Sequence, residues 1–257
     1  MENQVIPPII QKKNSEIEDS LTSCKLCNDT GWIIDKNNVA TPCKCYIMRM
    51  LNSRIKFADI PGAFKNIRLS TFNVGYYKDK ECIGEVINTI KYYVNNLNEM
   101  VNDGVGLYLW SERKGSGKTR MATSLANEFL YEYGMSVKFA TSLDIINEIK
   151  RTWENDGYSE SKLFDYLTTT EVLVIDDFGT ETHRDWIDDK FYQIINKRYI
   201  EKLVTIFTSN SKLENLSYDD RITNRIKERV YQIHFPEESI RDGIAAARQN
   251  KLIKEIG

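Results

Sequence analysis

The 257-residue chain has a net charge of −2, with 35 Lys and Arg residues against 37 Asp and Glu residues. Its composition, 41% hydrophobic and 28% charged, is typical of a soluble globular protein and argues against a disordered one. Apolar runs are far shorter than the roughly 20 residues that span a bilayer, and no signal peptide is evident. We therefore expect a cytoplasmic protein with no membrane partner, in which any nucleic-acid binding comes from a local patch or from subunit assembly.

The N-terminal part contains two close pairs of cysteines. Cys24 and Cys27 form a C-x-x-C pair, and Cys43 and Cys45 form a tighter C-x-C pair beyond a short hairpin that contains Gly and Asn. Such pairs present thiolates to a tetrahedral zinc ion, which replaces the core that so short a segment cannot build. We expect a structural zinc ribbon, and four unrelated thiols are the alternative. Residues 1–20 are polar and predict a flexible or partner-binding arm.

Helical patterns flank a break in the chain after the ribbon. A helix is predicted over 46–56, and a Pro-Gly break at 57–64 predicts a boundary between two domains, 1–57 and 58–257. Another helix is predicted over 83–100. Cys82 precedes its first apolar position and is expected to be a buried small residue rather than a ligand.

A strand, a glycine-rich turn and a helix follow one another over 104–133. Gly115 and Gly117 allow backbone N–H groups to close around an anion at a helix N-terminus, Lys118 can reach the β- and γ-phosphates, and the Thr119 hydroxyl can bind Mg²⁺. The alternative is a chance glycine-rich turn. Glu112 occupies a position where the motif G-x-x-x-x-G-K-[ST] has glycine, and we expect any weakened affinity to originate there. The residues predicted to bind the nucleotide are Lys114, Gly115, Ser116, Gly117, Lys118, Thr119 and Arg120.

Strands and helices alternate through the rest of the chain. Strands are predicted over 137–140, 172–175, 203–210 and 231–235, helices over 143–153, 163–167, 185–202, 221–229 and 239–256, and a polar loop over 154–160. This alternation with short loops predicts an α/β fold with a mainly parallel sheet.

An acidic pair ends the most apolar of these strands. Asp176 can bind Mg²⁺, and Asp177 can orient or deprotonate an attacking water. Two adjacent carboxylates repel each other, which a cation between them would offset. The alternative is that they cap the next helix. Asn210 ends the following strand and could contact the γ-phosphate, although Ser-Asn is also ordinary turn chemistry.

Arginines recur in the last quarter of the chain. Arg221, Arg225 and Arg229 share one helix face, which indicates either a solvated basic stripe or an arginine finger for a neighbouring subunit's nucleotide. Arg241 lies at the start of the final helix, where a cation is disfavoured unless it meets an anion, so it is a second candidate for phosphate contact.

Together these motifs resemble AAA+ ATPases, and within them the DnaC/DnaI-type replicative helicase loaders, with IstB-like ATP-binding proteins as close relatives. The resemblance implies an AAA+ P-loop NTPase with a mainly parallel five-stranded sheet flanked by helices, plus a small N-terminal zinc-ribbon domain. Gly115 to Thr119 would be Walker A, Asp176 and Asp177 Walker B, Asn210 sensor 1, Arg225 the arginine finger and Arg241 sensor 2. The residues it implies in catalysis are Lys118, Asp176, Asp177, Asn210, Arg225 and Arg241.

The resemblance also implies a function. Domain 1–57 would bind a hexameric replicative helicase, and ATP would favour a homo-oligomeric spiral on single-stranded DNA, with hydrolysis releasing the helicase. The cofactors would be ATP/ADP, Mg²⁺ and Zn²⁺. Alternatives are a transposition or phage recombination helper ATPase, and a non-catalytic adaptor in which Asp177 and Glu112 mark a site that binds ATP without hydrolysis. A plain zinc-ribbon DNA-binding protein is disfavoured by the ribbon's mixed charge. DNA contacts are predicted at Lys150, Arg151 and Trp153, where a surface helix end is an equally good interpretation.

Overall fold

The computed structural model describes residues 24–154, 159–182 and 184–256. The predicted arm over residues 1–20 and most of the predicted loop over 154–160 lie outside these ranges. In chain order the strands are β1 (Trp32–Ile34), β2 (Ala40–Pro42), β3 (Gly106–Trp110), β4 (Val137–Thr141), β5 (Val172–Asp176), β6 (Val204–Ser209) and β7 (Val230–His234). The helices are α1 (Lys44–Ala58), α2 (Lys80–Asn95), α3 (Leu97–Asp103), α4 (Lys118–Tyr131), α5 (Ser142–Glu154), α6 (Glu160–Thr169), α7 (Asp185–Ile200), α8 (Asp220–Glu228) and α9 (Ile240–Ile256).

The central sheet has the strand order β4-β5-β6-β3-β7, and all four strand pairings are parallel. The prediction of a mainly parallel five-stranded sheet is therefore confirmed. Because the strands are parallel, their carboxyl ends meet at one edge of the sheet, where ligands bind in such folds. The turns that follow β3, β5 and β6 lie at this edge, and they carry the glycine-rich loop, the acidic pair and Asn210.

Side-chain alternation along the strands builds two apolar layers. On β3, Leu107 and Leu109 face one layer, together with α2, α3 and α4, whereas Tyr108 faces the other layer, with α5 to α8. Strand β5 is buried along its whole length, as its continuous apolar run predicts. Within the described part of the chain, no helix combines the length and apolarity needed to cross a membrane.

The cysteine ribbon joins the sheet through a single helix. Strands β1 and β2 form the antiparallel hairpin, and α1 begins directly after Cys43. The far end of α1 reaches the apolar core, where Ala58 is fully buried and Arg54 donates a hydrogen bond to the Gly134 carbonyl. Helix α1 thus continues one residue past the predicted boundary at 57, and the division into domains 1–57 and 58–257 stays a prediction.

Two local predictions for the region after the ribbon were wrong. The helix predicted over 83–100 is divided into α2 and α3 at Asn96, whose side-chain amide donates to the Tyr92 carbonyl at 2.8 Å. The Asn96 N–H group donates to the same carbonyl at 3.1 Å, and the backbone of Asn96 leaves the helical region, with φ of −111° and ψ of 25°. Cys82 is half-buried rather than buried, and its thiol donates to the His234 carbonyl at 3.6 Å.

A buried arginine joins helices α6 and α7 to the sheet. The side chain of Arg198 is only 1% exposed, although it lies on the last turn of a surface helix. Its guanidinium donates to the main-chain carbonyls of Leu167, Thr170, Glu171 and Val204 and to the Thr205 hydroxyl, at distances of 2.6 to 3.4 Å. These acceptors are all neutral, so the charge is compensated by dipoles rather than by a carboxylate.

We predict that Arg198→Met lowers the free energy of unfolding by about 3 kcal/mol or more, because it leaves several buried carbonyl groups without donors. Urea denaturation followed by circular dichroism measures this change. The neighbouring Lys197, whose ion pair with Glu201 is solvent-exposed, provides the control. Lys197→Met should change stability by less than about 0.5 kcal/mol, and equal midpoints for the two variants would contradict the role of Arg198.

Candidate functional site

The glycine-rich turn after β3 wraps around an anion-sized space at the start of α4. Gly115 and Gly117 have left-handed backbones, with φ of 81° and 99°. A side chain at Gly117 would also collide with the Tyr77 hydroxyl, since its Cβ would lie 2.3 Å away. The Tyr77 hydroxyl donates to the Ser116 carbonyl at 2.7 Å and so fixes the turn from outside. Glycine is therefore required at position 117 for both conformation and space.

Lys118 is buried within this turn. Its ammonium group donates to the carbonyls of Ser111 and Arg113 and to the Ser116 hydroxyl, at 3.1 to 3.2 Å. Burial lowers the pKa of Lys118 to about 8, and the negative charge of Asp177 opposes that shift. The group is thus a partly desolvated cation, for which a phosphate would be a strong partner.

Glu112 does not distort the turn. Its side chain is exposed, and it is not among the residues with a left-handed backbone, so no glycine is needed there. Its N–H group and that of Arg113 donate to the two carboxylate oxygens of Glu237, at 3.0 and 2.8 Å. The backbone geometry therefore gives no reason for a weakened affinity to originate at this position.

The acidic pair lies beside the first turn of α4. The Asp176 carboxylate is 5% exposed and accepts hydrogen bonds at Oδ1 from the hydroxyls of Thr119, at 2.9 Å, and Thr208, at 2.6 Å. Burial raises the pKa of Asp176, and these two hydroxyls oppose that shift. A hydroxyl and a carboxylate held together are hard oxygen ligands that suit Mg²⁺. Asp177 has a left-handed φ of 53° and an exposed side chain.

A cavity of about 430 Å³ brings most of the predicted residues together. Its apolar lining comes from three residues. Phe64 lies between α1 and α2, and Ile240 and Ile244 lie on α9. The predicted nucleotide and catalytic residues that line it are Lys114, Gly115, Ser116, Gly117, Lys118, Thr119, Arg120, Asp177, Asn210 and Arg241. Asp176 joins them through its hydrogen bond to Thr119.

Arg225 lies elsewhere, on α8, and contacts residues of α7. Its Nε donates to the Asn196 side-chain oxygen at 2.7 Å, and its guanidinium lies 4.8 Å from the Tyr192 ring centre and 5.9 Å from that of Tyr199. Arg221 forms an ion pair with Asp219 at 3.0 Å. Arg225 therefore does not line the cavity of its own chain, and its action on a neighbouring subunit stays a prediction.

Several site residues had no signal in the sequence. Tyr77 and Phe64 precede the glycine-rich turn by many residues and reach it through packing alone. Thr208 is read from sequence as a strand residue, and Glu237 as a charged loop residue. For Thr208 the sequence contains one usable signal, the polar run Thr208-Ser209-Asn210 at the end of an apolar strand.

The four cysteines of the ribbon form one cluster. Their Sγ atoms all lie within 4.8 Å of one another, with Cys24 and Cys43 at 3.7 Å and Cys27 and Cys45 at 3.2 Å. A tetrahedral zinc ion with Zn–S bonds of about 2.3 Å requires S···S separations near 3.8 Å, so the cluster fits zinc after small adjustments. The C-x-C spacing works because Cys43 precedes α1 directly and Cys45 lies on its first turn. The set can hold a structural zinc ion.

The predicted DNA-contacting cluster contains one further aromatic residue. Trp153 is 54% exposed and packs edge-to-face on Trp186 of α7, with ring centres 4.9 Å apart. The Lys150 ammonium lies 5.8 Å from the Trp186 ring centre. Lys150 and Arg151 are exposed, and the role of this cluster in DNA binding stays a prediction.

A known protein family matches most of this chain. The family model described as IstB-like ATP binding protein matches residues 49–238, which include the elements that line the cavity up to the start of α9. The chain belongs to the IstB-like ATP binding protein family. The family predicted from the sequence is thereby confirmed, and the predicted AAA+ P-loop fold is confirmed by the similarity to solved structures described below.

Known proteins that are similar to this chain match different shares of it. The replicative helicase loader DnaC of Escherichia coli K12 is 29% identical over 151 residues, which are 57% of this chain and 60% of DnaC. The chain therefore spans less than two thirds of that relative. The phage-like element PBSX protein XkdC of Bacillus subtilis is 23% identical over 234 residues, covering 88% of this chain and 85% of XkdC. A crystal structure of DnaI aligns with a TM-score of 0.58 and 25% identity over 69% of this chain and 95% of that chain.

A solved structure of the replication initiator DnaA bound to AMPPCP and single-stranded DNA is also similar. Its TM-score is 0.56 at 17% identity, with 67% of this chain and 50% of the DnaA chain covered. At this level of identity the similarity extends to the fold alone.

We predict that nucleotide binding by the IstB-like protein weakens as the pH rises above about 8, by up to about tenfold per pH unit. Free Lys118 loses its proton in this range, whereas phosphates would hold it charged, so binding must take up a proton. Calorimetric titration with ATP in buffers of different ionisation enthalpy measures both effects. Lys114→Met should keep this pH dependence and Lys118→Met should abolish it, whereas equal slopes in both variants would contradict the assignment.

We predict that the purified protein contains about one zinc ion per chain and that Cys27→Ser loses it, because three thiolates no longer close the tetrahedron. Elemental analysis after gel filtration measures the zinc content. Cys82→Ser removes the cysteine outside the cluster and should leave the zinc content unchanged. A wild-type protein without zinc, after growth in zinc-supplemented medium, would contradict the site.

Proposed function

We propose that this IstB-like protein loads a hexameric replicative DNA helicase onto single-stranded DNA during replication initiation, with ATP binding and hydrolysis as the assembly and release switch. The observation that carries the proposal is the single cavity that joins residues 114–120 to Asp177, Asn210 and Arg241. The family supports an ATP ligand, and the relatives DnaC and DnaI, which bear the name replicative helicase loader, support the client.

Nucleotide binding would use both ends of the cavity. The phosphates would lie on the N–H groups of residues 115–119 and on Lys118, at the positive end of α4. The base would lie against Phe64, Ile240 and Ile244, which supply the apolar walls. Arg241, whose side chain approaches Gly115 closely, would contact the phosphates from α9.

Hydrolysis would use the acidic pair. Thr119 and Asp176 would hold Mg²⁺, which when bound neutralises charge on the β- and γ-phosphates. Asp177 would orient or deprotonate the attacking water, and Asn210 would position the same water or the γ-phosphate. The exposed side chain of Asp177 and the half-buried Asn210 are consistent with these roles, since both line the cavity.

Assembly would bring further residues to the site. Arg225 would reach the nucleotide of a neighbouring subunit in a spiral, and its stacking on Tyr192 and Tyr199 supports a preformed conformation. Lys150, Arg151 and Trp153 would contact single-stranded DNA through charge and base stacking. The N-terminal region, 1–57, would bind the helicase, and the exposed apolar side chains of Leu26 and Ile34 on its ribbon support a protein partner.

One observation favours a second candidate function. XkdC, a protein of a phage-like element, matches a larger share of this chain than DnaC does. A phage recombination or transposition helper ATPase would use the same site with a different client. An adaptor that binds ATP without hydrolysis is the third possibility, because the carboxylate of Asp177 lies on a side chain one methylene shorter than glutamate.

We predict that the full chain releases phosphate from ATP and, with the hexameric helicase of the same genome, permits unwinding of an oligonucleotide annealed to circular single-stranded DNA. Lys118→Ala should lower ATP affinity by about tenfold or more, because the buried cation that meets the phosphates is lost. Asp177→Asn should bind ATP normally and hydrolyse it at least about tenfold more slowly. Phosphate release, ATP titration and unwinding are measured in parallel.

Lys197→Ala is the matched control, since this lysine lies on the exposed face of α7 away from the cavity. Absence of phosphate release from the wild type, with and without DNA and helicase, would exclude the ATPase. Specific capture of a transposase or recombinase instead of the helicase would select the second candidate function.

A further inference from the structure

Three consecutive residues at the end of β5 are hydrogen-bonded to one residue of β6. The Thr208 hydroxyl donates to Asp176 Oδ1 at 2.6 Å and accepts from the Asp177 N–H group at 3.0 Å. The Thr208 carbonyl accepts from the Phe178 N–H group at 2.8 Å. Thr208 itself is fully buried. One side chain therefore fixes the carboxylate of the first acid and the main chain of the second.

This arrangement replaces the regular ladder where the two strands separate. Main-chain pairing between β5 and β6 ends at Ile175 and Phe207, so the next position no longer continues the sheet register. At Asp177 the backbone turns into the left-handed region, which is costly for a residue with a side chain. The Asp177 carbonyl accepts from the hydroxyls of Ser142 and Thr180, at 3.0 and 2.8 Å. Hydroxyl groups thus hold both sides of the turn.

We propose that Thr208 is a positioning residue for the acidic pair, setting Asp176 toward the Mg²⁺ site and Asp177 toward the attacking water. The inference deepens the proposed nucleotide function and rests on it. Thr208 does not line the cavity, so it acts through the two carboxylates rather than on the nucleotide. The Thr119 hydroxyl, which bonds the same Oδ1 atom, would be the group that leaves Asp176 to bind the metal, with Thr208 retaining the carboxylate.

The test compares Thr208→Val with Thr208→Ser. Valine keeps the volume and β-branching but removes the hydroxyl, which leaves the Asp177 N–H group without its acceptor, whereas serine keeps the hydroxyl. ATP affinity is measured in excess Mg²⁺ and in EDTA, and phosphate release is measured at saturating ATP. Thr168→Val is the control, because Thr168 is also buried and its hydroxyl donates to the Phe164 carbonyl within α6.

We expect Thr208→Val to bind ATP in EDTA within about twofold of the wild type, to lose about tenfold of the affinity gained with Mg²⁺, and to hydrolyse ATP about ten- to a hundredfold more slowly. Thr208→Ser should restore both Mg²⁺-dependent quantities to within about threefold, and Thr168→Val should match the wild type in all three. A merely structural role would not produce this pattern, since it would reduce affinity in EDTA as well.

The inference is overturned if Thr208→Val keeps its Mg²⁺ response and turnover, if serine restores neither, or if affinity in EDTA falls as much as turnover. A wild type with no Mg²⁺-dependent gain in affinity also overturns it. A wild type that binds ATP with Mg²⁺ but releases no phosphate contradicts the proposed ATPase, while the Mg²⁺ response of the variants still decides the role of Thr208.

Discussion

The hydrogen bonds on Asp176 hold together the three chain segments that form the proposed nucleotide site. A buried carboxylate is costly unless donors compensate its charge, and here the donors come from the start of α4 and the end of β6. They can reach Asp176 only because β6 lies between β5 and β3 in the sheet. The strand order and the local chemistry of the acid therefore depend on each other. A different order would leave the carboxylate buried without its partners.

The glycine-rich turn is held on another side by the chain from the end of β7 to the first residue of α9. There the Pro236 carbonyl accepts from Ser111, the Glu237 carboxylate binds two successive N–H groups, and the Ile240 N–H group donates to the Gly115 carbonyl. This framework explains how the turn tolerates Glu112. The missing glycine lies where the chain has an ordinary backbone and an external carboxylate, so conformational freedom is not needed there.

The sequence allowed the sheet, the glycine-rich turn, the acidic pair and the cysteine cluster to be predicted, because each has a signature within a few residues. Apolar runs identified the strands, and glycine and cysteine spacing identified the turns. Arg198 could not be predicted in its buried position, since a basic residue in the last turn of a helix normally indicates solvent. Its acceptors belong to other elements, and their proximity follows from packing. The helix break at Asn96 could not be predicted for the converse reason, because a single residue leaves the helical backbone region although the apolar pattern continues on both sides.

The residues that line the cavity have a local sequence signature, whereas the position of Arg225 depends on packing. Lining residues follow short motifs, whereas the surroundings of Arg225 are set by α7, whose Tyr192, Asn196 and Tyr199 recur at helical spacing opposite α8. An arginine side chain carries about 2 kcal/mol of rotamer entropy, which binding normally has to remove. In this protein the stacked rings and the Asn196 oxygen have already restricted it. Under the proposed function, the nucleotide of a neighbouring subunit would therefore contact a guanidinium that is already ordered. Subunit assembly would then lose little rotamer entropy at Arg225, and its entropic cost would come mainly from the other residues of the interface.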